Sequence, residues 1–226
     1  MLKISVVIPM LNEAALIGSA IDRAWRAGAD EVIVSDGGSR DGSLGIAAGG
    51  RCQLIEGPAG RAIQQNRGAA VASGDVLLFL HADNWLAAGA GNQIRKLLEK
   101  DRVLCGAFFQ RIESPRVWYR LIEYGNAARV RHLGMAYGDQ GIFVRRQTFL
   151  SAGGFPQVSL MEDVRLMRSL RRISRPVLLP GPLHVSPRRW QKNGVIRQTL
   201  CNWWLLTAER CGVSPDRLKR FYTPHR

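Results

Sequence analysis

Two aspartates stand where predicted strands end, a position in which a carboxylate can take part in chemistry. Asp36 directly follows the predicted strand 31–35, and Asp83 follows the apolar strand 76–81. A carboxylate can accept a hydrogen bond from a nucleobase or a ribose, and it can hold a divalent metal ion on a diphosphate. It can also form a turn or cap the next helix. Each aspartate alone leaves both roles open, whereas two on separate strand ends of one sheet favour a binding site.

The elements that must position these carboxylates are strands and helices, which are predicted to alternate in the first half of the chain. A continuous, largely β-branched run predicts a buried strand at residues 4–8, and further strands are predicted at 31–35, 52–56, 76–81 (the most apolar) and 103–109. Helical spacing predicts helices between them: one capped by Asn12 and ended by Gly28, one after Gly60 through Ala72, and one over 91–100. This alternation indicates a parallel sheet with helices on both faces. Ligands of such sheets lie beyond the carboxyl ends of the strands, which selects residues 9–13, 36–39 and 81–84.

The second half of the chain is less regular. We expect a strand over 141–144, helices over 146–153 and 162–172, a short strand over 176–179, and helices over 190–211 and 214–222. The expected fold class is α/β, with a Rossmann-like, mostly parallel sheet flanked by helices. We expect this domain to cover residues 1–186, divided into halves at 1–100 and 101–186. A basic helical extension over 187–226 is expected to pack on it.

Most of the excess positive charge lies near the C-terminus. The net charge is +14, but residues 1–100 carry 10 basic and 10 acidic side chains, whereas residues 164–226 carry 14 and 2. This distribution excludes a uniformly basic coat protein and indicates a neutral core with a basic flank. The tryptophans at 203 and 204, with nearby arginines, suit a helix that lies on anionic lipid. We favour the alternative in which the arginines face solvent and the tryptophans pack on the core.

Cysteine spacing and hydropathy bear on the cellular location. The four cysteines form no C-x-x-C pair and are too sparse for a disulfide framework, which favours reduced thiols in a cytoplasmic protein. No run of about 18 apolar residues occurs, so we expect no membrane-spanning helix. The apolar stretch 4–11 is interrupted by Pro9 and followed by Asn12 and Glu13, so we do not interpret it as a signal peptide. We expect a cytoplasmic protein that can also lie on the inner face of the cell membrane.

Several short motifs occur in an order that resembles a known family. They are VVIPMLNE at 6–13, VSDGGSRDGS at 34–43, GR at 60–61 leading to NRG at 66–68 and ASGD at 72–75, LFLHAD at 78–83, GGF at 153–155 and MED at 161–163. As an ordered set over residues 4–172, they resemble the signature segments of family 2 glycosyltransferases. The H-A-D segment, the G-D-Q-G of 138–141 and the R-R-W of 188–190 are further similar to a bacterial group called "selenodomain-associated transferase 2".

The resemblance implies a GT-A fold, a nucleotide-sugar donor, a divalent metal ion (Mn²⁺ or Mg²⁺) and inversion at the anomeric carbon. It implies that Pro9 and Leu11 line the pocket for the base. The same donor-binding loop continues through Asn12 and Glu13. The family often has an aromatic residue at the position of Leu11, where a leucine can pack against the base but cannot stack on it as an aromatic ring does.

Three further residues are assigned to the donor by the same resemblance. Asp36 would accept a hydrogen bond from a uracil-type N–H, Arg61 would reach the base or a phosphate, and Asp83 would bind the metal that bridges the diphosphate oxygens. His81 replaces the first aspartate of the D-x-D motif and so removes one carboxylate from the site. Family patterns place the metal mainly on the last aspartate, which is present here as Asp83.

The resemblance implies that Asp163 is the general base, with Glu162 as the competing candidate. A sugar hydroxyl has a pKa far above 7, and a carboxylate within hydrogen-bond reach can take its proton as it attacks C1. The two residues by themselves favour another role, in which both acids stabilise the positive N-terminus of a helix. The G-G-F motif upstream reverses that preference.

The candidate residues outside the donor site are weighed between a functional and a structural role. Asp139 and Gln140, between two glycines, either line the acceptor pocket or form a turn. Arg189 can contact the diphosphate, and Trp190 can stack on a sugar or anchor the start of a helix. His184 is a candidate third metal ligand, although a lone histidine after a strand is more often structural.

These features predict an inverting, metal-dependent glycosyltransferase that moves a sugar from a nucleoside-diphosphate sugar, a UDP-sugar by preference, to a hydroxyl acceptor. The acceptor is unknown and can be lipid-linked or anionic. One alternative is a non-catalytic homologue that binds a sugar nucleotide, and another is a basic module that binds nucleic acid or a membrane surface. Nucleic-acid binding does not explain the carboxylates at strand ends, and no nucleic-acid motif occurs, so no such partner is expected. A nucleotidyltransferase would need a glycine-rich phosphate loop after the first strand, where this chain has residues 10–13.

Overall fold

The first half of the chain forms strands and helices in alternation. The computed structural model describes residues 1–100 and 102–219. Its elements up to residue 98 are β1 (Ile4–Met10), α1 (Ile17–Arg26), β2 (Glu31–Asp36), α2 (Ser43–Ala48), β3 (Gln53–Glu56), α3 (Arg61–Val71), β4 (Val76–Phe79), β5 (Asn84–Leu86) and α4 (Ala90–Leu98). The predicted alternation of strand and helix is confirmed as far as β4, whereas β5 follows β4 directly, and the sequence predicts neither β5 nor α2.

The second half contains three strands and a larger number of helices. Its elements are β6 (Cys105–Ile112), α5 (Val117–Leu133), a 3₁₀ turn (Gly138–Gln140), β7 (Phe143–Arg145), α6 (Arg146–Ser151), α7 (Glu162–Ile173), β8 (Val177–Val185), α8 (Arg188–Asn193), α9 (Val195–Arg210) and α10 (Pro215–Lys219). Among the described residues, no helix is long and apolar enough to cross a bilayer.

All eight strands belong to one sheet, in the order β3-β2-β1-β4-β7-β6-β8-β5. β1 pairs in parallel with β2 and β4, β2 with β3, and β6 with β8. β7 lies between β4 and β6 and is antiparallel to both, and β5 is antiparallel to β8. The predicted α/β class with a mostly parallel sheet is confirmed. The chain reaches β7 from β6 through α5 and the turn of Gly138–Gln140.

The sheet is covered on both faces, which explains the continuous apolar runs of its strands. In β1, Val6 and Ile8 join one buried cluster with α1 and α4, whereas Val7 joins the other with α3, α6 and α7. Strand residues alternate between faces, so a strand with both faces buried must be apolar throughout. β4 repeats this arrangement, with Leu78 on the first side and Leu77 on the second.

The prediction that Asn12 caps the first helix is wrong. α1 begins at Ile17 after an N-cap at Leu16, and residues 13–16 form turns. Asn12 is at φ 54° and uses its side chain to hold a neighbouring loop. It therefore cannot accept hydrogen bonds from the first amides of the helix.

Three predictions for the second half need correction. The sequence does not predict α5, a helix of 17 residues, and it predicts only the first part of the nine-residue strand β8. The helix predicted over 190–211 is two helices, separated at Gly194, which has φ 80°. The expected end of the last helix, beyond residue 219, lies outside the described residues.

The tryptophans of α9 do not pack on the core, contrary to the favoured expectation. Trp203 is 67% exposed and Trp204 is 49% exposed. The buried face of α9 consists instead of Gln198, Leu205 and Glu209. Glu209 receives hydrogen bonds from two arginines of α7, so the helix is held by ion pairs as well as by apolar contacts.

Candidate active site

The loop after β1 and the loop after β2 hold each other in place. The Asn12 Oδ1 accepts a 2.9 Å hydrogen bond from the Arg40 amide, and the Asn12 amide donates to Ser39 Oγ at 2.8 Å. The Glu13 amide donates to Ser43 Oγ at 2.8 Å. Such contacts offset the strain of a non-glycine residue at positive φ. The two loops therefore form one fixed edge at the carboxyl ends of the strands.

Pro9 and Leu11 lie at this edge and are both partly exposed. Pro9 stands opposite Ser35 in the parallel pairing of β1 with β2. The structure therefore brings the predicted donor-loop residues together, beside the end of the second strand.

Asp36 closes the turn that follows β2. It is fully buried, and its Oδ2 accepts hydrogen bonds from the amides of Gly38 and Ser39 at 2.7 and 2.9 Å. Its Oδ1 accepts one from Ser39 Oγ at 2.5 Å. These contacts belong to the turn role that the sequence left open for Asp36. A carboxylate offers about four acceptor positions, so one remains for a further donor.

Two residues of α3 that the sequence did not single out support the same edge. Gln64 is buried, and its Nε2 donates to the carbonyls of Met10 and Ser35 at 2.6 and 2.9 Å. Arg67 donates through Nε to Ser35 Oγ at 3.2 Å and through Nη2 to the Asp36 carbonyl. Burial lowers the pKa of Arg67, against the opposing charge of Asp36. Gln64 and Arg67 are three residues apart on α3. Their hydrogen-bond partners lie about 30 to 54 residues earlier in the chain.

One amino group of Arg67 has no protein partner. Its Nη1 is buried and makes no hydrogen bond. A Cβ atom on Gly57 would lie 2.0 Å from that nitrogen, so the glycine is required for the guanidinium to reach the strand end. A buried N–H without a partner is costly, which makes Nη1 a natural donor to an anionic or carbonyl ligand.

His81 and Asp83 follow β4 but face different surroundings. Asp83 is exposed, whereas His81 is partly buried. A Cβ atom on Gly138 would lie 3.2 Å from both the His81 Nε2 and the Asp163 Oδ2. The residue that replaces the first aspartate of D-x-D is therefore close to the predicted general base. Gly138 therefore lies between His81 of the H-A-D motif and Asp163 of the M-E-D motif.

Asp163 is held by two backbone amides at the start of α7. Its Oδ2 accepts from Gly138 at 2.6 Å, and its Oδ1 accepts from Val164 at 2.8 Å. Burial raises the pKa of Asp163, and the charge of Asp139 raises it further, against these hydrogen bonds and the charge of Arg61. Asp163 itself remains partly exposed. It combines access with a raised pKa, as a general base requires.

Glu162, the competing candidate, is 5% exposed. Burial and the charge of Asp163 raise the pKa of Glu162 to about 7, although Arg61 opposes the shift. The two acids follow Met161, which has φ 67°. Asp163 is more accessible than Glu162, and Arg61 of α3 is close enough to influence both. The start of α3 and the acidic pair of α7 therefore lie close together.

The turn of Gly138–Gln140 is fixed by a polar network that reaches into α5. Gln110 donates to Asp139 Oδ2 at 3.0 Å, and Gln140, which is fully buried, accepts from Arg129 Nη2 at 2.7 Å. Arg129 also donates to Asn126 and to the carbonyl of Met135, and its guanidinium lies 3.4 Å from the Tyr137 ring centroid. Burial lowers the pKa of Arg129. Asp139 and Gln140 form a turn, as one of their two interpretations expected, and this turn carries the amide that binds Asp163.

Asp139 has a second feature that favours a ligand. Its Oδ1 is buried and makes no hydrogen bond. The Nε2 of Gln140 is likewise buried and unpartnered. An unpaired acceptor beside an unpaired donor leaves hydrogen-bonding capacity next to the proposed base. The sequence did not indicate the supporting residues Gln110, Asn126 and Arg129, because no local pattern links them to the turn.

The remaining candidates lie in other environments. The His184 Nδ1 is 2.7 Å from Glu113 Oε1, and its ring stacks on Trp85 with centroids 5.2 Å apart. Trp190 is 8% exposed and packs edge-to-face on Tyr119, which is the helix-anchor role considered from the sequence. The side chain of Arg189 lies outside the described part of the structure.

The expected metal site has a single carboxylate ligand from the protein, that of Asp83. Within residues 1–100 and 102–219, no group of three or more His, Cys, Asp or Glu side chains could hold a metal ion. Mg²⁺ at phosphate sites usually binds one or two carboxylates and completes its coordination with substrate phosphates and water. Asp83, exposed at a strand end, fits a site of that kind. His184, engaged with Glu113, contributes to no cluster of potential ligands in this part of the chain.

Solved structures resemble this fold. S. aureus TarS (residues 1–349) has a TM-score of 0.66 and 15% identity, covering 82% of this chain and 61% of that one. The mannosyltransferase PcManGT from Pyrobaculum calidifontis, solved with GDP-Man and Mn²⁺, has a TM-score of 0.62 and 20% identity, covering 81% and 56%. Glucosyl-3-phosphoglycerate synthase from Mycobacterium tuberculosis, solved with Mn²⁺ and UDP, has a TM-score of 0.53 and 21% identity, covering 82% and 70%. These similarities establish a GT-A fold, and the chain spans about 60% of the length of TarS 1–349.

The family of the protein is shown by its sequence. A comparison with curated proteins finds no match. The sequence model of "Glycosyl transferase family 2" matches residues 5–153, which include the loops after β1 and β2, the strand end with Asp83 and the turn with Asp139. The match covers well over half of the chain and ends before Glu162 and Asp163. The protein belongs to glycosyl transferase family 2.

Proposed function

We propose that this protein is an inverting glycosyltransferase that uses a nucleoside-diphosphate sugar and a divalent metal ion. The observation that carries the proposal is the position of Asp163. Its partly exposed carboxylate, with a raised pKa, lies beside His81 from the D-x-D position and near Arg61 from the donor helix. A base, a metal-binding strand end and a cationic group at one site suit displacement of a diphosphate.

The donor would bind along the edge formed by the ends of β1 and β2. Pro9 and Leu11 pack against the base, Asp36 offers its remaining acceptor position to a base N–H, and Asn12 and Glu13 shape the loop. The unpartnered Nη1 of Arg67 supports a carbonyl or phosphate partner in the same place. TarS has been solved with UDP and with UDP-GlcNAc, and PcManGT with GDP-Man. We propose a UDP-sugar for this chain, because Asp36 can accept from the N–H of uracil.

Asp83 would hold the metal ion, Mn²⁺ or Mg²⁺. When bound, the metal neutralises negative charge on the leaving diphosphate. One carboxylate would be enough for this, because Mg²⁺ at phosphate sites usually takes its other ligands from substrate phosphates and water. His184 lies apart and has no part in this proposal.

The reaction requires one proton transfer by the protein. Asp163 accepts the proton of the acceptor hydroxyl as the oxygen forms a bond to C1 of the donor sugar. The bond between C1 and the diphosphate oxygen breaks, and its electron pair leaves with the diphosphate. Attack from the face opposite the leaving group inverts the configuration at C1. The amides of Gly138 and Val164 orient the carboxylate, and Arg61 places positive charge beside it.

The acceptor would lie over the turn of Gly138–Gln140. The unpartnered Oδ1 of Asp139 and Nε2 of Gln140 provide an acceptor and a donor for its hydroxyl groups. We propose that residues 1–100 form the donor half, residues 101–186 the acceptor half, and the remainder a basic extension that includes Arg189. The four cysteines are free, which supports a cytoplasmic location.

Thermal shift with nucleotides and a hydrolysis assay test this proposal. UDP is expected to raise the melting temperature in the presence of Mn²⁺, and a UDP-sugar is expected to be hydrolysed slowly. Asp83→Asn should abolish the metal-dependent part of the shift, whereas Asp22→Asn, an exposed acid on α1, should not. Absence of any metal-dependent nucleoside-diphosphate binding would overturn the proposal. Binding without hydrolysis or transfer would instead favour the non-catalytic alternative.

A further inference from the structure

The outer face of α5 is apolar although it faces away from the protein. Val117, Trp118, Leu121 and Tyr124 are 73%, 68%, 60% and 64% exposed. Gly125 and Ala128 continue this face for another turn and are also exposed. These positions recur at helical spacing along about 17 Å of helix. We call residues 117, 118, 121, 124, 125 and 128 the α5 stripe.

Several polar residues of α5 lie on its inner face. Glu123, the one acidic residue of this helix, is 1% exposed and pairs with Arg120 at 3.0 Å. Asn126 donates to Gln110 of β6, and Arg129 donates to Gln140 in the turn that also holds Asp139. These polar side chains are used inside the protein, whereas the solvent side of the helix is apolar from Val117 to Ala128 and basic at Arg131 and His132. A contiguous exposed apolar surface of this kind marks an interaction site.

Arginines flank both ends of the α5 stripe. Arg116 precedes it, and Arg131 follows it, and both are exposed. Arg175 donates to the carbonyls of Arg131 and His132 at 2.6 and 3.1 Å, at the C-terminal end of the helix. Arg171 lies beside Gly134, within 3.3 Å of where its Cβ would be. In the described part of the chain, no salt bridge joins any of these four arginines to an acid.

We propose that the α5 stripe binds to the surface of an anionic lipid bilayer, with the helix lying in the plane of the interface. Tryptophan, tyrosine and leucine on one face of a helix suit the boundary between headgroups and acyl chains. The arginines at its ends supply attraction to anionic headgroups. The helix is too short and too polar on its inner face to cross the bilayer, so the contact is peripheral.

Charge favours a bilayer over a second copy of the chain. A two-fold symmetric dimer through the stripe would be isologous, so each copy would present the same arginines to the other. In an antiparallel pair, Arg116 of one copy would lie near Arg131 of the next, and α5 offers no exposed acid to compensate. Like charges placed against each other oppose association. An anionic surface instead complements Arg116 and Arg131 at the two ends of the stripe.

The location of the stripe has a consequence for the acceptor, which rests on the proposed function. α5 contacts the bilayer with one face and holds the turn of Asp139 and Gln140 with the other. A helix is about 10 Å across, so the acceptor side of the site would lie close to the lipid surface. The acceptor would then be a hydroxyl group presented at the membrane, as on a lipid-linked sugar.

Co-sedimentation of the full chain with vesicles tests the contact without any nucleotide or sugar. Vesicles of equimolar phosphatidylcholine and phosphatidylglycerol are compared with vesicles of phosphatidylcholine alone. The protein is expected to bind the anionic vesicles, and added salt is expected to weaken binding. Trp118→Ser combined with Leu121→Ser should reduce binding about tenfold or more, because two exposed apolar side chains no longer enter the interface. Both residues are exposed, so the fold is expected to persist, as circular dichroism would show.

The control is a double variant at exposed apolar positions elsewhere. Ile46→Ser combined with Leu150→Ser, at residues 43% and 49% exposed, should leave binding unchanged. Loss of binding in Trp203→Ser with full binding in the α5 variant would assign the contact to α9 and overturn the proposal. Light scattering that shows a dimer dissociated by the α5 substitutions would also overturn it, as would no binding to anionic vesicles. Failure here leaves UDP binding unaffected, so it is distinguishable from failure of the proposed function.

Discussion

The backbone amide of Gly138 donates a 2.6 Å hydrogen bond to Oδ2 of Asp163, joining two segments 25 residues apart in the chain. Gly138 belongs to the turn between α5 and β7, and Asp163 to the first turn of α7. The proposed base is therefore held by the same turn that carries Asp139. A change in that turn is expected to alter the position or the charge of the base.

We predict that Asp163→Asn loses sugar transfer while it keeps nucleotide binding. An amide cannot take the proton of the acceptor, and general-base catalysis is worth about 10² to 10⁴ in rate. Single-turnover transfer and UDP thermal shift would measure the two properties separately. Glu162→Gln is the matched control and should keep most of its transfer activity. Full activity of Asp163→Asn would remove this residue from the role.

The second prediction concerns the pH dependence of transfer. The base must be ionised, so activity falls as the pH drops through the pKa of Asp163. The charge of Asp139 raises that pKa, after the larger effect of burial. Asp139→Asn should therefore lower the pKa and move the acid limb of the kcat/KM profile to lower pH. An unchanged limb, or a limb moved to higher pH, would contradict the assignment.

The third prediction is that Glu162→Gln stabilises the protein at high pH. Burial and the charge of Asp163 raise the pKa of Glu162 from 4.5 to about 7. The folded protein thus holds a proton that the unfolded chain releases, so stability falls as the pH rises between those values. The glutamine variant should be more stable than the wild type by about 3 kcal/mol near pH 8, with a much smaller difference near pH 5. Urea unfolding at both pH values measures this, and Glu56→Gln, at an exposed position, should show no such difference.

The fourth prediction uses the space beside Gly138. An alanine there would place its Cβ 3.2 Å from both Asp163 Oδ2 and His81 Nε2, closer than ordinary packing. We expect Gly138→Ala to reduce kcat about tenfold by displacing the base, with the fold retained. Gly45→Ala, where a Cβ would meet nothing within 4 Å, is the control for adding a methyl group. The double variant Gly138→Ala with His81→Ala should recover part of the loss, and equal kcat for Gly138→Ala and wild type would contradict the prediction.

The fifth prediction is that Arg129→Lys destabilises the protein although it keeps the charge. The guanidinium donates to Met135, Asn126 and Gln140 at once, at distances of 2.7 to 3.0 Å. A lysine cannot reproduce this planar arrangement, so buried acceptors lose their partners. We expect a loss of about 2 kcal/mol in the free energy of unfolding. Arg131→Lys, at an exposed position two residues away, should unfold like the wild type.

The edge formed by the loops after β1 and β2 could be predicted from the sequence, because the residue patterns that indicate it are local. The centres of β1, β2 and β4 are short, mostly apolar runs, and distinctive polar residues such as Asn12 and Asp36 stand at or just after strand ends. The direction of the strands then places those loops together without any knowledge of packing. The same reasoning cannot find Gln64 or Arg67, since Gln64 binds the carbonyl of Met10, 54 residues away.

α5 was missed for a different physical reason. A helix of a water-exposed surface shows one apolar and one polar face, and that contrast is its signal in a sequence. In α5 both faces carry apolar residues at the N-terminal end, with Tyr119 buried and Trp118 exposed. The contrast is therefore weak there. The break in the tail at Gly194 was missed because the helical spacing continues on both sides of it.

The place of β7 in the sheet has a consequence for the order in which the chain can fold. β4 is all apolar, and one of its two edges is covered by residues 143–145, almost 70 positions later. A nascent chain that has emerged only as far as α4 therefore presents the unpaired edge of β4. Such an edge can pair with another chain. A fragment of residues 1–100 is expected to aggregate, because it lacks the strand β7 that covers this edge of β4.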